Sequence, residues 1–420
     1  MRILFVTHRL PFPPNRGGKI RPFNMIRHLG RKHSVVVASL AHTEQELNEG
    51  AALKDYCDEV IAEVLPESTR RLQALKALPT RMPCSANYFW SARLHERIRK
   101  CFFHSKFDVV FVHCVAMAQY VMDLEADLRI MDFGDIDSAK WAEYSQSRRF
   151  PLSLVYAAES KKLRTYERYV AQSFHRCTVT SRGEKDEYQT FRVSTPCTLI
   201  PNGVDLSYFS AQRNVSTSRP TVVFLGRMDY FPNIDGVCYF AEQVFPFIRK
   251  KIPNVEFRIV GSKPARKIQD LRNIPGIVVT GHVPDVRAYV PTEAVAIAPL
   301  RIARGTQNKI LESMAMGIPV VATTKAAKGI QAVAGRDLLV ADVPEEFAAH
   351  VIALLRDEQM RRFMSQSARN QLEKAHLWPA SLSILDSLLA DASKPTPSSE
   401  PSLASKATAS IDAAAEWSLH

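Results

Sequence analysis

The sequence predicts an α/β protein built from two consecutive units, each a mostly parallel sheet covered by helices on both faces. Three observations predict it. Short apolar, β-branched runs alternate with helix-length segments along most of the 420 residues, the order expected when crossovers join parallel strands. The alternation stops once, in a polar stretch bearing Ser, Thr, Asn and Pro at 206–220, and then resumes, which reads as a linker between domains. The hydrophobic fraction is 46% and the charged fraction 23%, which suits buried cores and excludes a chain disordered over most of its length.

In chain order, the strands expected in the first unit are 3–7, 34–40, 59–65, 108–113, 128–132, 177–180 and 198–200, separated by helical segments such as 22–29, 44–56 and 92–103. The second series is 221–225, 255–260, 277–280, 295–298, 320–323 and 338–340. From Pro344 to about residue 390 the pattern is helical. The expected organisation is a first domain at 1–205, the linker 206–220, a second domain at 221–375 and a helix at 376–392 packing back on the first domain. The tail 393–420 opens with the Ser- and Pro-rich SKPTPSSEPSL and is expected to be disordered.

Composition bounds the function. No apolar run approaches the length of a membrane-spanning helix. The apolar stretch near the start is shorter than the core of a signal peptide, so a cytoplasmic location is expected. Seven cysteines, at 57, 84, 101, 114, 177, 197 and 238, form no C-x-x-C pair and support neither a zinc site nor a disulfide framework. The net charge of +12 lies mostly in the first half. It suits nucleic acid, anionic lipid or phosphorylated substrates. The absence of a nucleic-acid recognition motif, with charge spread along the chain, disfavours the first of these.

Three segments carry residues suited to an anionic ligand. The loop after the first strand, Pro13-Pro14-Asn15-Arg16-Gly17-Gly18-Lys19, combines two glycines, whose amides can approach an anion closely, with Lys19 and Arg21. It lacks Walker A spacing, and on its own a plain turn into a helix starting at Pro22 explains it better. Phe224-Leu225-Gly226-Arg227 ends the first strand of the second unit with a planar, doubly donating guanidinium; a surface arginine at a strand terminus would look the same. The strongest signal is 298–323, APLRIARGTQNKILESMAMGIPVVAT. A strand enters a Gly-containing loop, then a helix, a Gly stop and another strand. Lys309 and Glu312, three apart, share a helical face near the helix start, while Leu311 and Met314 face elsewhere. One face thus offers a cation for phosphate and a carboxylate for sugar hydroxyls.

With 200–205 (IPNGVD), 259–261 (IVG) and 281–290, these segments resemble the retaining glycosyltransferases of the GT-B fold, in the family 4 (group 1) transferases. Residues 226–233 (GRMDYFPN) and 132–141 (DFGDIDSAKW) resemble, more narrowly, sugar transferases associated with exopolysaccharide loci. The resemblance implies two Rossmann-like domains whose parallel sheets face each other across a cleft. It implies a nucleoside diphosphate sugar as donor, with no cofactor and no metal. Arg227 and Lys309 would grip the pyrophosphate, and Glu312 would bond the ribose. Gly305 and Asn308 would add the loop and helix-start amides, and Gly17 and Gly18 would approach from the first domain.

Two departures stand out. Where the family carries the first of two glutamates this chain has Arg304, and where it often carries a lysine after the Gly-Arg pair this chain has Pro232. Arg304 is expected to act as an extra phosphate ligand. On the acceptor side, His113, Asp132, Asp135 and Asp137 end first-unit strands, and His113 or Asp135 could orient an acceptor hydroxyl. For His113 a strand-end structural role is the better explanation. Asp135-Ile136-Asp137 is a D-x-D triplet, but Asp137 and Ser138 read as helix-start residues.

The acceptor is expected to be a lipid-linked saccharide at the inner membrane face. The basic, apolar-interleaved stretches 70–76 and 93–103 suit anionic lipid as well as they suit solvent. The alternatives are a nucleotide-sugar epimerase of GT-B-like fold and a non-catalytic nucleotide-sugar-binding scaffold.

Overall fold

A computed structural model describes residues 1–209 and 217–392. The centre of the expected linker and the expected disordered tail lie outside the described residues. The chain divides into two units. One comprises Met1–Val179, Glu187–Thr198 and the residues from Ser383 onward, and the other Thr180–Asp186 and Leu199–Leu382.

The first unit holds a seven-stranded sheet. Its strands are β1 (Arg2–Thr7), β2 (Ser34–Ala41), β3 (Glu59–Val64), β4 (Val109–His113), β5 (Leu128–Gly134), β6 (Arg176–Val179) and β7 (Cys197–Leu199). The order across the sheet is β3-β2-β1-β4-β5-β6-β7, and the registered pairs from β3 to β6 are parallel. The near-continuous burial of β1, β2 and β4 follows from helices covering both faces. Phe5 of β1 stacks on Phe111 of β4 with ring centroids 4.8 Å apart.

The second unit holds a six-stranded sheet of β8 (Thr221–Leu225), β9 (Glu256–Val260), β10 (Ile277–Gly281), β11 (Val295–Ala298), β12 (Val320–Ala322) and β13 (Leu339–Val340), in the order β10-β9-β8-β11-β12-β13. All its registered pairs are parallel. Phe240, Phe257 and Phe347 centre the core on one face. In each sheet the strand order reverses beside the first strand, between β1 and β4 and between β8 and β11. Ligands of such sheets bind beyond the carboxyl ends of strands at that reversal.

Every anticipated strand is present, within a few residues of its expected ends. The helices differ in three places. The first spans Gly17–Leu29, with Pro22 inside it, so Gly17 and Gly18 open the helix instead of lying in a loop before it. Proline favours the first helical position, and that preference is what misplaced the start. The 44–56 segment breaks at Gly50 into a helix Glu44–Glu49 and a 3₁₀ turn Gly50–Asp55, and Leu10 packs so closely on the break that a side chain at Gly50 would lie 1.8 Å from its Cδ2. Within the expected linker, Leu206–Phe209 forms a helical turn, with Asp205 Oδ1 accepting from the Tyr208 amide at 2.9 Å.

Asp132, on β5 and fully buried, anchors the centre of the first unit. Arg21 donates to it from Nε at 2.9 Å and Nη2 at 2.8 Å, Thr178 Oγ1 donates at 2.6 Å, and His113 Nδ1 lies 2.7 Å away. Burial alone would raise its pKa. The Arg21 charge and the bonds from His113 and Arg21 reverse this and hold the carboxyl well below the usual range. Its stabilising contribution is therefore present above the ordinary carboxylate pKa of about 4 and is lost only in stronger acid. Asp132 is thus committed to the fold. Asp132→Asn leaves the Arg21 guanidinium buried without a counter-charge. We expect it to cost about 3–5 kcal/mol, read as a lowered midpoint in denaturant unfolding at neutral pH.

Candidate functional site

The site in the second unit begins where β8 and β9 end. The Gly226 amide donates to the Val260 carbonyl at 3.1 Å, and the Met228 amide to Ser262 at 2.9 Å. A Cβ on Gly261 would lie 1.7 Å from the Gly226 carbonyl oxygen. Only a glycine lets these two turns pack so closely, and the packing fixes the position of Arg227. Its guanidinium is held by Asp229 through Nε, at 3.0 Å, and Nη2. The fork that suits a diphosphate thus holds a carboxylate.

The second part comes from the loop after β11. Gly305 adopts φ +60°, and a side chain at Gly329 would strike its carbonyl oxygen at 1.8 Å. The helix Asn308–Ala315 follows, held down by buried Ile310, Leu311, Met314 and Ala315. Lys309 extends from its first turn. Its Nζ donates to Asn233 Oδ1 at 2.6 Å and lies 4.7 Å from the centroid of the Phe224 ring on β8. Asn233 is buried and donates its own Nδ2 to the Arg227 carbonyl at 2.8 Å. One amide side chain thus ties Lys309 to the turn that carries Arg227.

Lys309 and Glu312 share a face, as expected, but form no ion pair. The lysine is directed to Asn233, and the partly buried Glu312 carboxylate accepts no hydrogen bond among the described residues. Burial pushes the Lys309 ammonium down to about 7, against the opposing pull of Glu312. Burial pushes the Glu312 carboxyl up to about 7, against the opposing pull of Lys309. Burial makes both charges costly, and an anion beside Lys309 with hydroxyls beside Glu312 would stabilise both.

Arg304 is placed differently from the expectation. Its Nε donates to Glu184 Oε1 at 3.1 Å, and the Glu184 side chain is 3% exposed. The cation standing where the resembling family has a glutamate is therefore matched by an acid from a distant segment. Asn308 opens the helix, and its Oδ1 lies 3.4 Å from Asn202 Nδ2. Asn202 belongs to the 200–205 segment, which docks on His376. The Val204 amide donates to the His376 carbonyl at 2.8 Å. His376 Nδ1–H donates to the Asn202 carbonyl at 3.0 Å, and its Nε2 accepts from the Gln331 amide at 3.0 Å. A side chain at Gly203 would strike the Trp378 backbone nitrogen at 2.5 Å.

Gly17, Gly18, His113 and Asp135 belong to the first unit. His113 ends β4, mostly buried, with Nδ1–H donating to Asp132. His8 follows β1. Its ring centroid lies 5.8 Å from that of His113, and a Cβ on Gly18 would touch its Nε2 at 3.6 Å. Burial, with His113 and Arg9 nearby, pushes His8 down to about 3. Asp135 is half-buried beyond the end of β5, and Asp137 opens the helix Asp137–Ser147 and pairs with Lys140.

Sequence reasoning missed Asp229, Asn233, Glu184 and His8. Asp229 and Asn233 stand within the 226–233 motif, where a short-range signal existed. His8 could have been found as the residue directly after the first strand. Nothing local marks Glu184.

Residues 219–357, which include Arg227, Lys309 and Glu312, match the family model described as Glycosyl transferases group 1. A Klebsiella pneumoniae protein, described as an uncharacterized 44.6 kDa protein in the cps region, is 19% identical over 370 residues, covering 84% of this chain and 90% of its own. Among solved structures, sucrose-phosphate synthase from Thermosynechococcus elongatus matches with a TM-score of 0.67 at 14% identity, over 93% of this chain and 98% of its own. HepE from Anabaena, solved with UDP-glucose, matches with a TM-score of 0.66 at 13% identity, over 93% and 100%. The chain therefore has the two parallel-sheet α/β domains of the GT-B fold, and its similarity to the group 1 glycosyl transferases lies at 219–357 in the second unit.

Proposed function

We propose that the chain is a retaining, metal-independent family 4 glycosyltransferase, moving a sugar from a nucleoside diphosphate sugar to a lipid-linked saccharide in the cytoplasm, during exopolysaccharide or cell-surface glycan synthesis. One observation carries the reading. At the reversal point of the second sheet, Asn233 ties Lys309 to the Arg227 turn, and the Glu312 carboxylate, which accepts no hydrogen bond among the described residues, lies one helical turn from Lys309. Two cations with an acceptor-only carboxylate suit a diphosphate with an adjoining ribose. HepE, solved with UDP-glucose, supports a donor of that class, and the Klebsiella relative from a cps region supports a polysaccharide pathway.

In this reading the Arg227 fork exchanges the Asp229 carboxylate for a phosphate oxygen, and Lys309 regains its full charge as the diphosphate enters. When the anomeric carbon–oxygen bond breaks, the electron pair stays on the diphosphate, and the two cations stabilise the charge that develops there. The acceptor oxygen bonds to the same face of the oxocarbenium-like carbon. Its proton passes to the departing phosphate. Glu312 accepts from the ribose hydroxyls and keeps the nucleoside fixed.

Three measurements test this. A thermal-shift panel of nucleoside diphosphate sugars is expected to single out one donor class. Lys309→Ala and Glu312→Ala are each expected to lower transfer at least about 100-fold with unfolding midpoints retained, and near wild-type turnover in either removes the assignment. Donor bound without turnover by any acceptor would leave a binding scaffold, and donor converted without acceptor would leave an epimerase.

Asn233→Ala removes the tie without removing a charge, and is expected to weaken donor affinity about tenfold in a binding titration. The pH profile follows from the two shifted groups. Lys309 loses its proton as pH rises through about 7, and Glu312 gains one as pH falls through about 7. Donor affinity should therefore peak near neutrality, and Lys309→Arg should extend the alkaline limb by keeping the charge.

A further inference from the structure

We propose that the acceptor is an acidic saccharide, and that the first unit holds its carboxylate or phosphate among Arg9, Arg16, Arg70 and His42. The inference rests on the transfer reading for the role of the ligand, but its test uses neither donor nor transfer. It begins at β1, beside the reversal of the first sheet, and at its neighbour β2. Arg9 lies two residues beyond β1, and His42 follows β2 directly. Ligands of a parallel sheet meet it at such ends.

One set of contacts joins these residues. Glu46 accepts from Arg9 Nε at 2.5 Å and from the His42 amide at 2.9 Å. Its Oε1 lies 2.8 Å from Lys19 Nζ and 3.5 Å from Arg16 Nη2. Arg70 Nη1 donates to His42 Nδ1 at 3.1 Å and to the Tyr88 hydroxyl at 2.9 Å. The Phe89 ring neighbours two histidines, its centroid 5.4 Å from that of His8 and 6.3 Å from that of His42. His8, Arg9, Arg16, His42 and Phe89 are all half-buried, so the cluster can be reached from solvent.

Donors in this cluster outrun acceptors. Arg16 Nη2, Arg70 Nε and His42 Nε2 are buried and have no hydrogen-bond partner among the described residues. Because Arg70 donates to His42 Nδ1, the ring proton sits on Nε2, and all three atoms are N–H donors. Arg70 itself is only 3% exposed. Buried donors are rarely left unpaired, and a ligand that completes these three must bring acceptors.

Charge narrows the kind of acceptor. Arg9, Arg16 and Lys19 crowd on a single buried carboxylate, Glu46. The Arg70 guanidinium meets a phenol and an imidazole, and pairs with no acid among the described residues. Nearby acids are committed elsewhere: Asp132 to Arg21 and His113, Asp137 to Lys140, and the exposed Glu49 to Gln45. Burial, with Arg9, Arg70, His8 and Lys19 nearby, pushes His42 down to about 2, as expected of a ring set among excess cations. A neutral sugar could complete the hydrogen bonds but would leave this charge unbalanced. A carboxylate or a phosphate does both, and the planar guanidinium fork suits either.

Titration calorimetry on the full chain tests this with methyl glucuronide, glucose 6-phosphate and methyl glucoside, all without donor. One of the two acids is expected to bind at least about tenfold tighter than the neutral glucoside, and the tighter acid identifies the group as carboxylate or phosphate. Arg16→Gln and Arg70→Gln should each weaken that acid at least about tenfold. Arg16 is half-buried, so its variant is expected to keep the wild-type unfolding midpoint even where Arg70→Gln lowers it. Arg93→Gln removes an exposed charge already paired with Glu63 and should leave the affinity unchanged. Acids that bind no tighter than the glucoside overturn the proposal, as does an affinity that survives Arg16→Gln. So does an acid whose binding is lost in Lys309→Ala, because it then occupies the site of the second unit. None of these outcomes touches donor binding, so a failure here leaves the transfer reading standing.

Discussion

A parallel strand buried on both faces can present chemistry only beyond its carboxyl end, and the second unit depends on this constraint. β8 is buried throughout and β11 beside it likewise, so every functional group must come from the turns that leave them. Those turns have freedom to wander unless something joins them. The contact between Gly226 and Gly261 fixes one, the close approach of Gly329 to Gly305 fixes the other, and Asn233 links the two. Lys309 is held largely away from solvent by this framework, and the shifted pKa values of Lys309 and Glu312 follow from burial there.

The framework was legible in the sequence to different depths. Strands depend on local apolar runs, so β1 to β13 could all be anticipated, whereas the helix at Gly17 was misplaced because Pro22 mimics a helix start. Lys309 and Glu312 were found because their spacing is a local geometric fact. That Lys309 turns away to Asn233 was not legible, since the two are far apart in sequence and meet only after the sheet forms. The same holds for Glu184, whose value lies in meeting Arg304. Side chains that act through distant partners carry no periodicity of their own.

Charge matching runs through the chain in two forms. In the fold, Arg21 is satisfied permanently by Asp132, at the centre of a fully bonded network. In the candidate site, Arg227 is satisfied by Asp229, two residues away and partly exposed. The first pair is costly to break because neither member can reach water. The second can be exchanged for another anion at little cost, because both members remain near solvent. Burial thus separates an ion pair that holds the structure from one that can give way to a ligand.

His376 has a consequence for the whole C-terminal end. Both ring nitrogens are occupied, one giving a proton to the Asn202 carbonyl and the other receiving one from the Gln331 amide. Only the uncharged ring can do both. Burial lowers its pKa, with the Asn202 bond opposing, so the folded chain resists protonation there. The seam between 200–205 and Trp378 is therefore secure above the ordinary histidine pKa of about 6.5 and loosens as the medium acidifies below it. Acidification thus begins to weaken this clasp at a pH where the Asp132 network of the first sheet is still fully ionised.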